Sequence, residues 1–220
     1  MVDTGGIQNK SISDNSLTYL KSLGINKIDY LILTHGDYDH IGDAQNVINK
    51  INVKNVIFNI GKYKSLENKL IELLNKKKIK YYKCNVVKLD NIKFLNDKDF
   101  NNENDNSIVT LLKVNNYNFL LMGDASIKTE NYLMSKYNIS NITFLKVGHH
   151  GSNTSSGQNF INYLKPKYSI ISVGKKNKFG HPKKEVLDIL KMTKIYRTDL
   201  NGSIQILLNS NGYQIITYNP

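Results

Sequence analysis

Apolar runs of strand length alternate with helical patterns along nearly the whole chain, and each of the five histidines falls in a glycine-containing segment that follows such a run. The runs at 29–33, 53–60, 79–87, 142–147 and 168–173 predict strands, and 107–114 with 117–122 a hairpin turned at Asn115-Asn116. The patterns at 41–50, 66–77, 127–137, 158–164 and 183–191 predict helices. A second hairpin, 203–208 with 213–217, closes the chain. Strands joined by helical crossovers, with hairpins added, imply an α/β (α+β) chain in which helices cover mixed sheets. No repeat and no Pro/Ser-rich linker interrupts residues 1–220, so one domain is expected.

The histidines bring polar company. Thr34-His35-Gly36-Asp37-Tyr38-Asp39-His40 holds four ligand-type side chains in six residues, where a strand end runs into a helix start. Two imidazoles and two carboxylates suit Zn²⁺ or Mn²⁺. A plain helix N-cap accounts for Asp39 alone, not for all four. In Phe119-Leu120-Leu121-Met122-Gly123-Asp124 a carboxylate follows an apolar strand; Asp124 is either an N-cap or a bridge between two cations. Lys146-Val147-Gly148-His149-His150-Gly151-Ser152 places adjacent histidines in a loop, and Gly180-His181-Pro182 adds a fifth. Strand ends are where open sheets build sites.

Composition narrows the class. The net charge is +12, and 29 of the 30 basic residues are lysine, Arg197 being the exception. Residues 1–60 carry −1, 61–140 carry +5 and 141–200 carry +8, so the cationic excess lies in the C-terminal third. That distribution fits either a solvated lysine surface or a face for phosphate backbones. The single cysteine, Cys84, excludes a disulfide framework and a Cys-rich zinc module. No run reaches the ~18 apolar residues of a membrane span, and residues 1–6 lack the features of a signal peptide. The expectation for the chain as written is a soluble, cytoplasmic protein.

Taken together, these motifs resemble the metallo-β-lactamase fold superfamily, and more narrowly the C-terminal metallo-hydrolase domain of ComEC/Rec2 competence DNA-uptake proteins. The resemblance rests on 34–42, Asn106-Ser107, Gly123-Asp124, 146–152, 171–174 with 180–182, and Tyr196-Arg197-Thr198-Asp199 with Gly202. It implies an αββα sandwich of two mixed sheets flanked by helices, with two divalent metal ions at one edge. His35 and Asp37 would then hold one ion, Asp39, His40 and His150 the other, with Asp124 bridging; His181 in place of His150 is the open alternative. Asp39, His149 and His181 are the implied catalytic residues. His149, Asn106, Ser107, Ser152, Lys175 and Lys178 would contact substrate, and Phe179 and Tyr38 are candidates for stacking or for packing.

The implied activity is a phosphodiesterase or DNase that works with a membrane DNA-uptake channel on single-stranded DNA, at the extracellular face in that context. A small-molecule metallo-hydrolase and a catalytically impaired nucleic-acid-binding remnant are the competing readings. Two departures stand out. Asp37 occupies a position where the common motif has histidine, and Asn104-Asp105-Asn106-Ser107 lacks a histidine usual before the hairpin. The domains it resembles also have two strands ahead of Val2-Asp3-Thr4-Gly5-Gly6, so this chain is expected to be N-terminally truncated and that segment to lack a pairing partner.

Overall fold

A computed structural model describes residues 1–7 and 10–219. The chain divides into two compact units. The first comprises residues 1–89 and 96–108. It contains α1 (Ser13–Ser22), β1 (Lys27–Ile32), α2 (Tyr38–Ile41), α3 (Ala44–Lys50), β2 (Asn52–Phe58), α4 (Ser65–Lys76) and β3 (Lys80–Lys83). The strands form an all-parallel sheet in the order β1-β2-β3, with Ile28 opposite Val53 and Val56 opposite Tyr81. Parallel strands need crossovers, and α2 with α3, then α4, supply them. Leu31, Val53, Val56 and Phe58 from the sheet pack with Leu17, Val47, Leu70 and Leu74 from the helices.

The second unit comprises residues 90–95 and 109–220. Its elements are β4 (Ile92–Phe94), β5 (Thr110–Val114), β6 (Tyr117–Leu121), α5 (Ile127–Lys136), β7 (Phe144–Lys146), α6 (Gln158–Leu164), β8 (Tyr168–Ile171), α7 (Lys184–Ile189), β9 (Lys194–Arg197), α8 (Thr198–Asn201), β10 (Ile204–Asn209) and β11 (Gly212–Thr217). A six-stranded sheet runs β4 through β9 in sequence order. It is antiparallel from β4 to β6 and parallel from β6 to β9, so four consecutive strands end at one edge. Leu120, Leu145, Val147 and Ile171 form the core with Leu133, Phe160 and Leu164. Phe119, Phe144 and Tyr168 stack across β6, β7 and β8 at 4.6 and 5.2 Å, and Tyr213 of the β10–β11 hairpin caps Phe144 and Tyr168 edge-on.

Several expectations change. The segment at the start does find a partner: Val2 bridges Ile32 in parallel, Asp3 N donates to the Ile32 carbonyl at 2.8 Å, and Ile32 N donates to Met1 O at 2.9 Å. The β1 backbone provides that edge, which the sequence pattern does not reveal. The helix expected at 41–50 is two helices, because the chain turns at Gly42 and Asp43. The strand expected at 79–87 stops at Lys83, and a short 3₁₀ turn, Cys84–Val86, follows. Helix α1 and strands β4 and β9 were not anticipated. No described helix is long and apolar enough to cross a membrane.

Candidate metal centre

In the first unit, β1 delivers Thr34 and His35 at its end, and α2 carries Asp39 and His40. His35 is 1% exposed and His40 3%, with ring centroids 4.1 Å apart. Asp37 Oδ2 lies 3.7 Å from His35 Nε2, and Asp39 Oδ2 lies 4.0 Å from His40 Nε2. The N-cap of α2 is Asp37, whose side chain makes no cap hydrogen bond, and Asp39 lies inside the first turn. The simple N-cap account of Asp39 therefore fails.

A residue that the motifs did not flag governs these histidines. Asp3 accepts hydrogen bonds from Thr34 N at 2.8 Å, Thr34 Oγ1 at 2.8 Å and His40 Nδ1 at 2.7 Å. A carboxylate only accepts, so His40 carries its proton on Nδ1 and its lone pair on Nε2. The Thr34 hydroxyl, having donated to Asp3, accepts from His35 Nδ1 at 3.1 Å, which sets the same tautomer there. One carboxylate thus presents two Nε2 lone pairs, the ligand form of imidazole.

The loop between these histidines is held from behind. Glu103 accepts from Gly36 N and pairs with Lys64 at 3.1 Å. Glu67, buried on α4, accepts from Lys64 N at 2.8 Å, and burial pushes its carboxyl above the ordinary range. A Cβ on Gly36 would stand 2.9 Å from the Glu103 carboxylate and 3.0 Å from that of Glu67, so a side chain there would push these two carboxylates aside. Beside this loop is a cavity of about 420 Å³ lined by Lys62, Tyr63, Lys64, Asp99, Asn102 and Glu103. Asn106 and Ser107, expected at the substrate, are both buried. The Asn106 side chain accepts from Phe100 N at 2.7 Å and donates to Asp99 at 2.8 Å, which fastens the loop.

In the second unit, the ends of β6, β7 and β8 carry the remaining residues. Asp124 is 3% exposed, and its Oδ2 lies 3.7 Å from both His149 Nε2 and His150 Nε2. It is not a helix cap: Ser126 caps α5 and accepts from Lys128 N at 3.1 Å. His149 and His150 adopt φ of 47° and 53°, a left-handed pair that costs about 1–3 kcal/mol per residue and points both rings to one side. His149 N donates to Gly123 O at 3.1 Å, which ties the two loops together. His150 Nδ1 donates to the Ser172 carbonyl at 2.7 Å, so its Nε2 holds the lone pair toward Asp124.

The His181 ring contacts His149 at 5.8 Å. Burial, followed by the neighbouring His149 and Lys183, lowers the His181 pKa. Ser152, expected at the substrate, is buried and bonds Thr154 Oγ1 at 3.0 Å within its own loop. Lys175 and Lys178 lie exposed on the loop leading to His181.

The family model of the metallo-beta-lactamase superfamily matches residues 1–175. ComE operon protein 3 of Bacillus subtilis (strain 168) is 33% identical over 201 residues, which are 86% of this chain and 26% of that protein. Competence protein ComA of Neisseria gonorrhoeae is 42% identical over 67 residues, 30% of this chain and 10% of that one. The chain therefore spans about a quarter or less of the length of these curated relatives. Among solved structures, the metallo-beta-lactamase fold protein YhfI from Bacillus subtilis superposes with a TM-score of 0.51 at 13% identity, covering 89% of this chain and 82% of that one. A mutant of the CmlA beta-hydroxylase gives 0.52 at 13% identity, covering 88% and 45%. The mixed α/β class expected from the motifs holds, and the chain belongs to the metallo-beta-lactamase superfamily.

Proposed function

We propose that this chain is a dinuclear-metal phosphodiesterase that cleaves DNA, and that its two units together form one catalytic domain. The observation that carries the reading is the hydrogen-bonded setting of the imidazoles. Asp3, Thr34 and the Ser172 carbonyl hold His35, His40 and His150 as Nδ1–H tautomers, so each Nε2 is a ligand atom beside a carboxylate. In this reading His35 and Asp37 hold one divalent ion, Asp39, His40 and His150 hold the other, and Asp124 bridges. His150 is preferred to His181 because its Nε2 lies beside Asp124. The four carboxylate and imidazole pairs all place oxygen donors beside nitrogen donors, a set suited to Zn²⁺ or Mn²⁺.

When bound, such ions lower the pKa of a water and neutralise charge on phosphoryl oxygens. The chain's own residues do the rest. His149, anchored through Nδ1 to Thr154 at 3.1 Å, directs Nε2 toward the phosphate, and His181 stands next to it. Lysines 175 and 178 attract the phosphate backbone. The competence proteins among the relatives support a role in DNA uptake beside a membrane channel.

The test is cleavage of end-labelled DNA by the purified chain with Mn²⁺ or Zn²⁺, against Asp124→Ala. Cleavage abolished by the substitution is the expected result. A folded, metal-loaded protein that leaves DNA intact would overturn the nuclease reading in favour of a small-substrate hydrolase.

A further inference from the structure

We infer that Phe179 is a stacking platform for an unpaired nucleobase next to the scissile phosphate, and that it gives the site its preference for single strands. The inference rests on the nuclease reading above and adds a subsite to it. Phe179 is 65% exposed at the tip of the loop between β8 and α7, with its ring stacked on His181 at 5.9 Å and 26°. His181 in turn contacts His149, whose Nε2 lies 3.7 Å from Asp124. A chain of ring contacts therefore runs from the exposed aromatic face to the candidate bridging carboxylate within one unit.

The loop is rigid where it needs to be. Asn177 donates to Gly174 O at 3.2 Å and to His181 O at 2.7 Å, and its Oδ1 accepts from His181 N at 2.8 Å. Lys183 Nζ donates to Phe179 O at 2.8 Å. These bonds fix the backbone that carries the ring, which lowers the ordering cost of binding. Residues 174–184 contain five lysines and no carboxylate, and Lys178 Nζ sits 5.8 Å from the Phe179 ring centre. An aromatic face amid cations is the combination that holds single-stranded nucleic acid, because every base has a π-face and every nucleotide a phosphate. In a duplex both faces of an internal base are already covered by its neighbours.

Tyr38, the other aromatic beside a motif, makes a useful contrast. Its ring covers Gly42, where a Cβ would stand 2.8 Å from Tyr38 Cε1, and its carbonyl closes on Gly6. Tyr38, 38% exposed, lays part of its ring on the backbone at Gly42, whereas Phe179 is 65% exposed and stacks on His181.

The experiment is fluorescence anisotropy of a labelled oligo(dT) strand with the full chain, with chelator present so that the strand stays intact. Phe179→Ala should raise Kd about 5-fold or more, and Phe179→Trp should restore it. The salt dependence of Kd should be unchanged in Phe179→Ala, since no phosphate contact is lost, and reduced by about one unit of slope in Lys178→Ala. On an abasic strand of equal length, Phe179→Ala should bind like wild type. Unchanged affinity for oligo(dT), or a loss that persists on the abasic strand, would overturn the stacking subsite; wild-type cleavage of DNA would then leave the nuclease reading standing. A wild-type chain that neither binds nor cuts single strands would overturn both.

Discussion

Replacing Asp3 by asparagine tests how the imidazoles are set, and its consequences follow from three bonds. Asp3 accepts from Thr34 N at 2.8 Å, Thr34 Oγ1 at 2.8 Å and His40 Nδ1 at 2.7 Å. Asparagine keeps one acceptor oxygen, which continues to serve Thr34 N. Its amide group then faces the Thr34 hydroxyl and His40 Nδ1, and it can only donate. His40 recovers a hydrogen bond by moving its proton to Nε2, and that removes its ligand lone pair. Thr34, no longer donating to a carboxylate, also ceases to fix His35.

Losing a support of this kind lowers metal affinity by about 10–100-fold, which is about 1.4–2.7 kcal/mol. The assay is a competition titration of Zn²⁺ against a chelator for wild type and Asp3→Asn. Nitrogen chemical shifts of His40 in the metal-free chain supply the second readout, since a tautomer change moves them and a loss of packing alone does not. Equal affinity in the two proteins, with His40 still protonated on Nδ1, would refute the reasoning.

Three further outcomes follow from buried groups. Glu130 is buried with a carboxyl pushed up to about 7 from 4.5, chiefly by desolvation, against two backbone donors from Ser156 and Gly157. The folded state therefore binds the proton more tightly, so stability is greatest below pH 4.5 for this group and falls by up to about 3 kcal/mol as pH rises to 7; urea melts of wild type and Glu130→Gln across that window should differ in slope, and parallel curves would refute it. Cys84 is buried with its thiol pushed up to about 12, so at pH 8 only about one in ten thousand is thiolate, and a disulfide reagent should label it in urea but not in the native chain. Gly151 has φ of 82°, and a Cβ there would stand 2.6 Å from Pro182 Cβ, so Gly151→Ala should destabilise the chain by about 1–3 kcal/mol, read as a lowered Tm.

Local spacing carried much of the fold. α6 and α4 are legible because their apolar residues recur at helical intervals, and β6 because a short apolar run ends at Gly123-Asp124. α1 was not legible because its start is secured from far away: Asp43 accepts from Ile12 N at 2.6 Å and Ser13 N at 2.7 Å across about 30 residues. β4 and β9 are three and four residues long, and only their pairing with β5 and β8 makes them strands. Glu103 sits in a run of asparagines and aspartates with no periodicity, yet it holds Gly36 from 67 residues away.

The same division runs through the candidate site and has a physical cause. Ligand-type side chains must crowd together, so His35, Asp37, Asp39 and His40 announce themselves by density. The acceptor that sets a tautomer can come from the neighbouring strand, at any distance in sequence, as Asp3 does for His40. Asp3 comes from the segment paired beside β1, and the Ser172 carbonyl from the end of β8, which lies beside β7. In each unit a histidine in the segment that follows one parallel strand bonds an acceptor beyond the end of the strand beside it: His40, on α2 after β1, bonds Asp3, and His150, after β7, bonds the Ser172 carbonyl. Parallel pairing brings both ends to one edge, so an acceptor from the next strand comes within reach of an imidazole there, as for His40 and His150, whereas His35 and His149 bond Thr34 and Thr154 of their own segments. A backbone carbonyl such as that of Ser172 leaves no mark in the sequence at all, whereas Asp3 leaves one that is visible only once its partner strand is known.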